Sequence, residues 1–196
     1  MRVVNVENLI RNVKEMCIEA NHFLTDDMNQ ALKRAADAEK SPLGKKILCQ
    51  LQDNLDIAAE DQIPICQDTG MAVLFVEIGQ DVHVEGGLIT DAVNEGVRQG
   101  YREGYLRKSV VGDPIIRNNT GDNTPAVIHY DIVSGDRIKI TIAPKGFGSE
   151  NMSRIFMLKP ADGIEGVKDS ILTAVKDAGP NACPPMVIGV GIGGTF

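Results

Sequence analysis

A run of nine residues, MAVLFVEIG at positions 71–79, is the strongest constraint on the fold of this chain. The run is apolar almost throughout and rich in β-branched side chains, a composition typical of a buried β-strand. It follows about sixty residues with a helical pattern and the short segment PICQDTG at positions 64–70. The chain must therefore combine helices with a sheet, and residues 64–70 lie at the junction.

Helical periodicity covers the first part of the chain. Apolar side chains recur at steps of three and four residues from Val6 to Cys17, which predicts a helix with one face toward a core. Thr25 is a suitable N-cap for a second helix that extends to Ala38, and Ser41-Pro42 opens a third. The sequence therefore predicts an all-helical layer before the first strand.

The second half of the chain alternates helical and strand-like segments. Residues 89–103 and 164–175 have helical spacing, and Gly179-Pro180 ends the later helix. Residues 126–133 and 137–142 are β-like runs joined by three turn-forming residues, Ser-Gly-Asp, which predicts a β-hairpin. The segment MVIGV at 186–190 is predicted to be a last short strand.

These patterns predict a mixed α/β (α+β) fold. We expect the N-terminal helices to form a layer on a mixed, at least partly antiparallel sheet. A chain of 196 residues is long enough for one sizeable core, and no linker or repeat interrupts it. A single domain over residues 1–196 is therefore expected.

Charge and cysteine content exclude several classes of protein. The 20 Lys and Arg against 27 Asp and Glu give a net charge of −7 without a long basic run, so nucleic acid is not an expected partner. The N-terminus lacks a signal-type core and no segment approaches the ~18 apolar residues of a membrane helix. We predict a cytoplasmic protein without membrane association, in which the four cysteines are thiols or metal ligands.

Two cysteines lie in segments that favour the presentation of side chains. Cys66 lies in PICQDTG, where Pro64 restricts the backbone before the cysteine and Gly70 allows the backbone more conformations after it. The polar triplet at 67–69 disfavours a core strand. Cys183 lies in GPNACPPMVIG, where prolines on both sides stiffen the loop. The two cysteines are far apart in sequence, so any metal that they share must be assembled by the fold.

The remaining candidate ligands carry no metal motif. Cys17 and Cys49 lie on apolar helical stripes and are predicted to be core residues. None of the three histidines has a partner at ligand spacing. A simple zinc site at Cys66 and Cys183 lacks histidine support and is a minor alternative.

Two later segments have the chemistry to bind an anion. Residues 101–114, YREGYLRKSVVGDP, hold the densest positive cluster, including Arg107, and arginine is the usual bidentate partner of a carboxylate; the alternative is a solvated helix end. Residues 144–152, PKGFGSENM, contain glycines that let backbone N–H groups approach an anion. Residues 118–125, NNTGDNTP, are interpreted as a turn before the hairpin.

Four of these segments also resemble a known family. PICQDTGMAVLFVEIG, GYLRKSVVGDP, PKGFGSENMS and GPNACPPMVIGVGIGGTF occur in the order found in the N-terminal part of the class I, iron-sulfur-dependent fumarate hydratases. The α subunits of L-tartrate dehydratases are similar. The resemblance runs from about residue 5 to the last residue and rests on the CQDTG and ACPP motifs.

The resemblance implies a cofactor and a set of site residues. It implies a 4Fe-4S cluster held by three cysteines, with Cys66 and Cys183 as two of them and the third outside this chain. It also implies that Arg107 binds a substrate carboxylate. By the same resemblance, the substrate is contacted by Gln67, by Asp68, which is the candidate catalytic residue for proton transfer, and by the backbone N–H of Gly148.

The activity implied by the resemblance is that of a hydro-lyase component. It would hydrate fumarate reversibly to malate, a reaction on C4 dicarboxylates. Completion by a β subunit and an oligomeric assembly are expected. One alternative is an L-tartrate dehydratase α subunit, which shares all four motifs. A second is a catalytically inert scaffold when the chain is separated from its β subunit and from the family's downstream segment.

Overall fold

The computed structural model describes residues 1–194, so Thr195 and Phe196 of the GIGGTF segment lie outside the described residues. The chain divides into two compact units, one of residues 1–145 and one that begins at residue 146; a single domain over residues 1–196 stays a prediction. The first unit contains, in chain order, β1 (Arg2–Asn5), α1 (Val6–His22), α2 (Asp26–Ala38), α3 (Pro42–Asp61), β2 (Met71–Gly79), β3 (Val82–Glu85), α4 (Ile89–Glu103), β4 (Val127–Val133) and β5 (Ile138–Lys145). Helices and mixed sheets together confirm the α+β class.

Helices α1 and α4 pack closely against each other in the first unit. A Cβ on Gly96 of α4 would lie 2.7 Å from the Cβ of Val13, and one on Gly100 would lie 2.7 Å from the Cβ of Cys17. Glycine is therefore required at both positions for this close approach of the two helices. Burial in this contact raises the pKa of the Cys17 thiol to about 12.

The predicted N-terminal helices are confirmed, with their caps at Thr25 and Ser41. Helix α1, together with α4, covers one face of a three-stranded sheet, whereas α2 and α3 pack mainly against each other. As a result α3 buries only Ala58 among its described residues. The prediction that Cys49 of α3 is a core residue is therefore wrong, because its thiol is exposed, whereas Cys17 is in the core as predicted.

The three-stranded sheet is built around β2. The strand order is β4-β2-β5, with β2 parallel to β4 and antiparallel to β5. Ala72, Leu74 and Val76 of β2 are buried on the helical side, where they join Val93 and Val97 of α4 in one core. The mixed, partly antiparallel sheet predicted from the sequence is confirmed, and MAVLFVEIG is its central strand.

The predicted hairpin of residues 126–133 and 137–142 is wrong, because β2 lies between β4 and β5. The connecting residues cross the end of β2, where the Gly79 N–H donates to the Arg137 carbonyl at 2.8 Å and the Gln80 N–H donates to the Val133 carbonyl at 2.8 Å. Four connecting residues reach roughly 13 Å. That reach exceeds two strand spacings of roughly 10 Å in total, so a connection of hairpin length can also bridge a strand.

Two further predictions differ from the structure. The chain opens with β1, which pairs in parallel with β3, so the first layer is not entirely helical. Its β-branched Val3 and Val4 precede the helical pattern and favour a strand. Residues 186–190 do not form the predicted strand; Val187 is 77% exposed, and no strand of the described residues pairs with the segment.

The second unit is helical among its described residues. It contains α5 (Phe147–Glu150), a 3-10 turn at Pro160–Asp162, α6 (Gly163–Ala178) and a 3-10 turn at Gly179–Ala182. Gly179 ends α6 with a φ of +47°, which confirms the predicted helix stop. In neither unit do the described residues include a helix long and apolar enough to cross a bilayer.

Substitution of Gly79 tests the crossing connection. Gly79→Ala is expected to lower the free energy of unfolding by about 2 kcal/mol or more. The reason is that its Cβ would lie 2.4 Å from the Gly135 carbonyl oxygen and 2.8 Å from the Arg137 nitrogen. Urea unfolding provides the measurement. Gly112→Ala is the control, since its nearest neighbour would be the Asn118 oxygen at 3.8 Å; equal stability of the Gly79 variant and the wild type would contradict the topology.

Candidate functional site

The segment before β2 is fastened to two helices of the first unit. The Ile65 N–H donates to the Asn21 carbonyl of α1 at 2.9 Å. The Asn54 amide of α3 donates to the Ile65 carbonyl at 2.9 Å. Both backbone polar groups of Ile65, the N–H and the carbonyl, are therefore hydrogen-bonded to helices. Cys66 and Gln67, which follow Ile65, are exposed.

The sulfur of Cys66 connects three of the predicted site residues. The Cys66 thiol donates to Oε1 of Gln67 at 3.4 Å, and its sulfur accepts the backbone N–H of Asp68 at 3.4 Å. The thiolate is the form of cysteine that binds metals, and a backbone N–H directed at the sulfur suits that form. The segment therefore presents a free thiol that contacts the side chain of Gln67 and the backbone N–H of Asp68.

Cys66, Gln67 and Arg107 line one pocket of about 420 Å³. Arg107 is the one charged side chain among the described residues that line it, so the pocket is positive in a chain of net charge −7. Asp68 follows Gln67 in the sequence and is half-buried, but it is not one of the residues that line the pocket. A groove of similar size at Glu7, Asp91 and Glu95 is acidic and holds none of the predicted site residues. The first pocket is thus the one suited to an anion.

Three buried polar side chains support this pocket, and the sequence did not reveal them. Thr69 is 4% exposed, Tyr101 1% and Asn123 0%. The Asn123 amide donates to the Gly70 carbonyl at 3.0 Å, and its oxygen accepts the Ser109 and Val110 N–H groups at 2.7 and 3.0 Å. The Tyr101 hydroxyl donates to the Thr69 carbonyl at 2.9 Å.

The sequence predicts only a turn over residues 118–125, yet Asn123 within this segment bonds to two loops. The same segment has an ionic anchor. The carboxylate of Asp122 accepts a hydrogen bond from the guanidinium of Arg98 on α4 at 2.8 Å. It also accepts hydrogen bonds from the backbone N–H and the hydroxyl of Thr124, at 3.0 and 2.8 Å. Burial opposes ionisation of Asp122, but the hydrogen bonds from Arg98 and Thr124 outweigh it and lower the pKa of Asp122 to about 2.

In the second unit the structure places Gly148 next to Cys183. A Cβ built on Gly148 would lie 3.6 Å from the sulfur of Cys183 and 3.7 Å from the Asn181 carbonyl oxygen. Cys183 has left-handed backbone angles, with φ +56° and ψ +66°, which cost a non-glycine residue on the order of 1 kcal/mol. Its exposed thiol is thus presented from a constrained turn and faces a residue without a side chain.

The described residues contain few side chains arranged to bind a metal. Among residues 1–194, no group of three or more His, Cys, Asp or Glu is arranged to hold a metal ion. Cys49, Cys66 and Cys183 are exposed free thiols, whereas Cys17 is buried and its pKa is raised to about 12. Of the two cysteines that the sequence predicts as ligands, Cys66 belongs to the first unit and Cys183 to the second, and their role as cluster ligands stays a prediction.

Comparison with known proteins identifies the family. The family model described as fumarate hydratase (Fumerase) matches residues 10–196. The chain belongs to the fumarate hydratase family. Within this family it is 41% identical, over 93% of its length, to a protein of Methanocaldococcus jannaschii provisionally named L(+)-tartrate dehydratase subunit alpha. It is 32% identical, over 86% of its length, to the L(+)-tartrate dehydratase subunit alpha of Escherichia coli (strain K12) and to that of Shigella boydii.

The chain spans only part of the length of these relatives. It covers 66% of the length of the Methanocaldococcus jannaschii protein. It covers 56% of the length of the Escherichia coli and Shigella boydii proteins. All three relatives are therefore longer than the region that they share with this chain.

The low pKa of Asp122 predicts an acid-sensitive part of the stability. The folded-state pKa lies near 2, below the ordinary 3.8, so the stabilisation is fully present above that ordinary value and is lost as pH falls toward the folded-state pKa. Side-chain exposures of 41% for Arg98 and 28% for Asp122 allow solvent screening. We therefore expect a contribution of about 1 kcal/mol.

Urea unfolding of the wild type and of Asp122→Asn, at about pH 6 and at about pH 2.5, measures this contribution. The wild type is expected to lose about 1 kcal/mol more than the variant across that interval, because the variant has no carboxyl group to protonate. Parallel losses in the two proteins would contradict the assignment.

Proposed function

We propose that this chain is part of the α subunit of a hydro-lyase that reversibly hydrates fumarate to malate. The observation that carries the proposal is the pocket that brings Cys66, Gln67 and the positive charge of Arg107 together. The membership of the fumarate hydratase family supports the same reaction class. The alternative substrate is L(+)-tartrate, which is favoured by the names of the relatives at 41% and 32% identity.

Arg107 is proposed to bind one carboxylate of the C4 dicarboxylate. Its guanidinium can donate two parallel N–H bonds to a carboxylate, which fixes orientation as well as position. Gln67 is proposed to contact the substrate beside it through its amide. In the second unit, the backbone N–H of Gly148 is proposed as a further donor to the substrate.

Cys66 and Cys183 are proposed to hold a 4Fe-4S cluster together with a third cysteine from outside this chain. When bound, the cluster supplies an iron with an open position, a Lewis acid for the hydroxyl that leaves as water. Reduced thiols suit this role, and the four cysteines of this chain are free. A reducing, cytoplasmic setting agrees with that state.

Asp68 is proposed to carry a proton in the reaction. It follows Gln67 directly, and its N–H bond to the sulfur of Cys66 fixes its backbone. In dehydration, a proton leaves the carbon and the hydroxyl departs as water, so a proton must be delivered to that hydroxyl. The carboxyl of Asp68 is proposed as the donor, and in hydration it would accept the proton back.

A β subunit is the proposed partner, because the relatives are named as α subunits. The pocket lining contains no cysteine besides Cys66. The third cysteine ligand and the base that takes the proton from the substrate carbon are proposed to come from the partner or from a further segment. The assembly is proposed to be an oligomer. Isolated from these parts, the chain would be an inert scaffold.

Anaerobic reconstitution with iron and sulfide tests the proposal. The chain should be reconstituted alone, and then with a β subunit and the downstream segment of a relative. Iron is counted, and hydration of fumarate and dehydration of L-malate and of the tartrate isomers are assayed. We expect about four irons and turnover only in the complete assembly. A complete assembly that takes up iron but turns over none of these acids would overturn the proposal.

Cysteine variants of the same assembly provide the matched controls. Cys66→Ser and Cys183→Ser are each expected to abolish both the cluster absorbance and the turnover, because a serine hydroxyl is a poor ligand for cluster iron. Cys49→Ser removes another exposed free thiol, on α3 and outside the pocket, and is expected to change neither. Full activity of both ligand variants would contradict the ligand assignment.

Arg107→Ala is expected to lower kcat/KM about 100-fold while the cluster absorbance stays unchanged, since it removes a charge-assisted carboxylate contact and no ligand. Arg107→Lys is expected to recover only part of the loss, because lysine lacks the bidentate fork. Steady-state kinetics and the visible spectrum measure both effects. Arg11→Ala, exposed on α1 and outside the pocket, serves as the control; bleaching of the cluster by Arg107→Ala would instead make Arg107 structural.

A further inference from the structure

Thr69 bonds to both main-chain polar groups of Arg107 through one hydroxyl group. Its Oγ1 accepts the Arg107 N–H at 2.9 Å and donates to the Arg107 carbonyl at 3.1 Å. The side chain is 4% exposed, so water has little access to these bonds. A single hydroxyl therefore takes the place of the paired hydrogen bonds that a neighbouring strand would make.

The Thr69 backbone is itself held in place. The Tyr101 hydroxyl donates to the Thr69 carbonyl at 2.9 Å, and the Asn123 amide donates to the next carbonyl, that of Gly70, at 3.0 Å. On the Arg107 side, the oxygen of the same Asn123 amide accepts the N–H groups of Ser109 and Val110. The two loops that line the pocket are thus joined by three buried side chains.

We propose that Thr69 is a positioning residue that sets the place of Arg107 relative to Cys66 and Gln67, and so sets the affinity for the dicarboxylate. The inference rests on the proposed function. Arginine is a long, flexible side chain, and its backbone is the part that a fold can hold rigidly. Thr69 stands one residue beyond Asp68, so the hydroxyl that bonds to Arg107 belongs to the same short segment as the thiol of Cys66.

The geometry identifies which chemical group of Thr69 matters. Valine has nearly the shape of threonine but lacks the hydroxyl, so Thr69→Val removes both bonds to Arg107 with little change in packing. Serine retains the hydroxyl and loses only a methyl group. A positioning role predicts that serine rescues function and valine does not, whereas a packing role predicts the reverse.

The test is a double-mutant cycle between Thr69→Val and Arg107→Ala in the complete, cluster-loaded enzyme, with fumarate or, if the wild type prefers it, L(+)-tartrate as substrate. Thr69→Val is expected to raise KM about tenfold, with kcat changed less and the cluster absorbance unchanged. In the Arg107→Ala background the same substitution is expected to change KM less than about twofold, because Thr69 acts through Arg107. Thr69→Ser is expected to stay within about twofold of the wild type.

Amide hydrogen exchange gives a readout that does not depend on turnover. The Arg107 N–H is expected to exchange at least about tenfold faster in Thr69→Val than in Thr69→Ser, since only valine leaves it without its acceptor. Thr90→Val is the matched control, because it removes a hydroxyl bonded to the Tyr130 hydroxyl at 2.9 Å outside the pocket. It should alter neither KM nor exchange at Arg107. Tyr101→Phe, which frees the Thr69 carbonyl, is expected to raise KM in the same direction as valine and serves if Thr69→Val does not fold.

The outcomes separate this inference from the proposed function. An active enzyme in which Thr69→Val leaves KM unchanged, or raises it equally with and without the Arg107 side chain, overturns the positioning role alone. Unchanged amide exchange at Arg107 in Thr69→Val also overturns it. A complete, cluster-loaded wild type that turns over none of the dicarboxylates overturns the proposed function, and this inference with it.

Discussion

The first unit depends on the position of β2 at the centre of the sheet. Both edges of this strand bond to other strands, and Ala72, Leu74 and Val76 bury one of its faces against α1 and α4. Burial of apolar surface drives this packing, so the most apolar run of the chain occupies the most enclosed place. Gly96 and Gly100 permit the close contact of α1 with α4, so they set the distance between these two helices.

The candidate site lies at the beginning of that central strand. Residues 66–70 lead directly into β2, so a segment with an exposed thiol continues into the central strand of the sheet. A site next to a buried strand is held in place by the packing of the core and can still be reached by solvent. Thr69 and Gly70 mark the change, since they are buried while Cys66 and Gln67 are exposed. Precise placement of a charged group such as Arg107 needs a support of this kind.

The sequence predicts the helices, the central strand and the site motifs because these depend on local information. Apolar spacing, caps and proline positions predicted where α1 to α4 begin to within one residue, although α1 extends to His22, beyond the predicted Cys17. In the segment that was predicted to present side chains, Cys66 and Gln67 are exposed, whereas Thr69 is buried. Strand order does not depend on local sequence, because a four-residue connection suits both a hairpin and a crossing over β2. Which of the two forms depends on which strand occupies the centre of the sheet, and here that strand is β2. Asn123 was missed for a similar reason, since its bonds reach Gly70 and Ser109 across the fold.

The exposure of Cys49 also could not be predicted from local sequence. Its helix has an apolar stripe, but the stripe faces little of the core, because α3 packs mainly on α2. Periodicity reports that a face is apolar and does not report what covers it. Cys17, on an equally apolar stripe, is buried because α4 lies against it. The difference between the two cysteines is therefore a property of the neighbouring helices.

Residues 134–137 cross the end of β2, so β4 and β5 lie on either side of β2, which is synthesised before them. During synthesis β2 and α4 emerge before β4 and β5, and the strand can cover its apolar face while both of its edges stay open. Open edges invite pairing with other chains, which makes this interval the one in which a chaperone would be of most use. The short connection then places β4 and β5 close together in the chain, so both edges of β2 are covered by consecutive strands of the sequence.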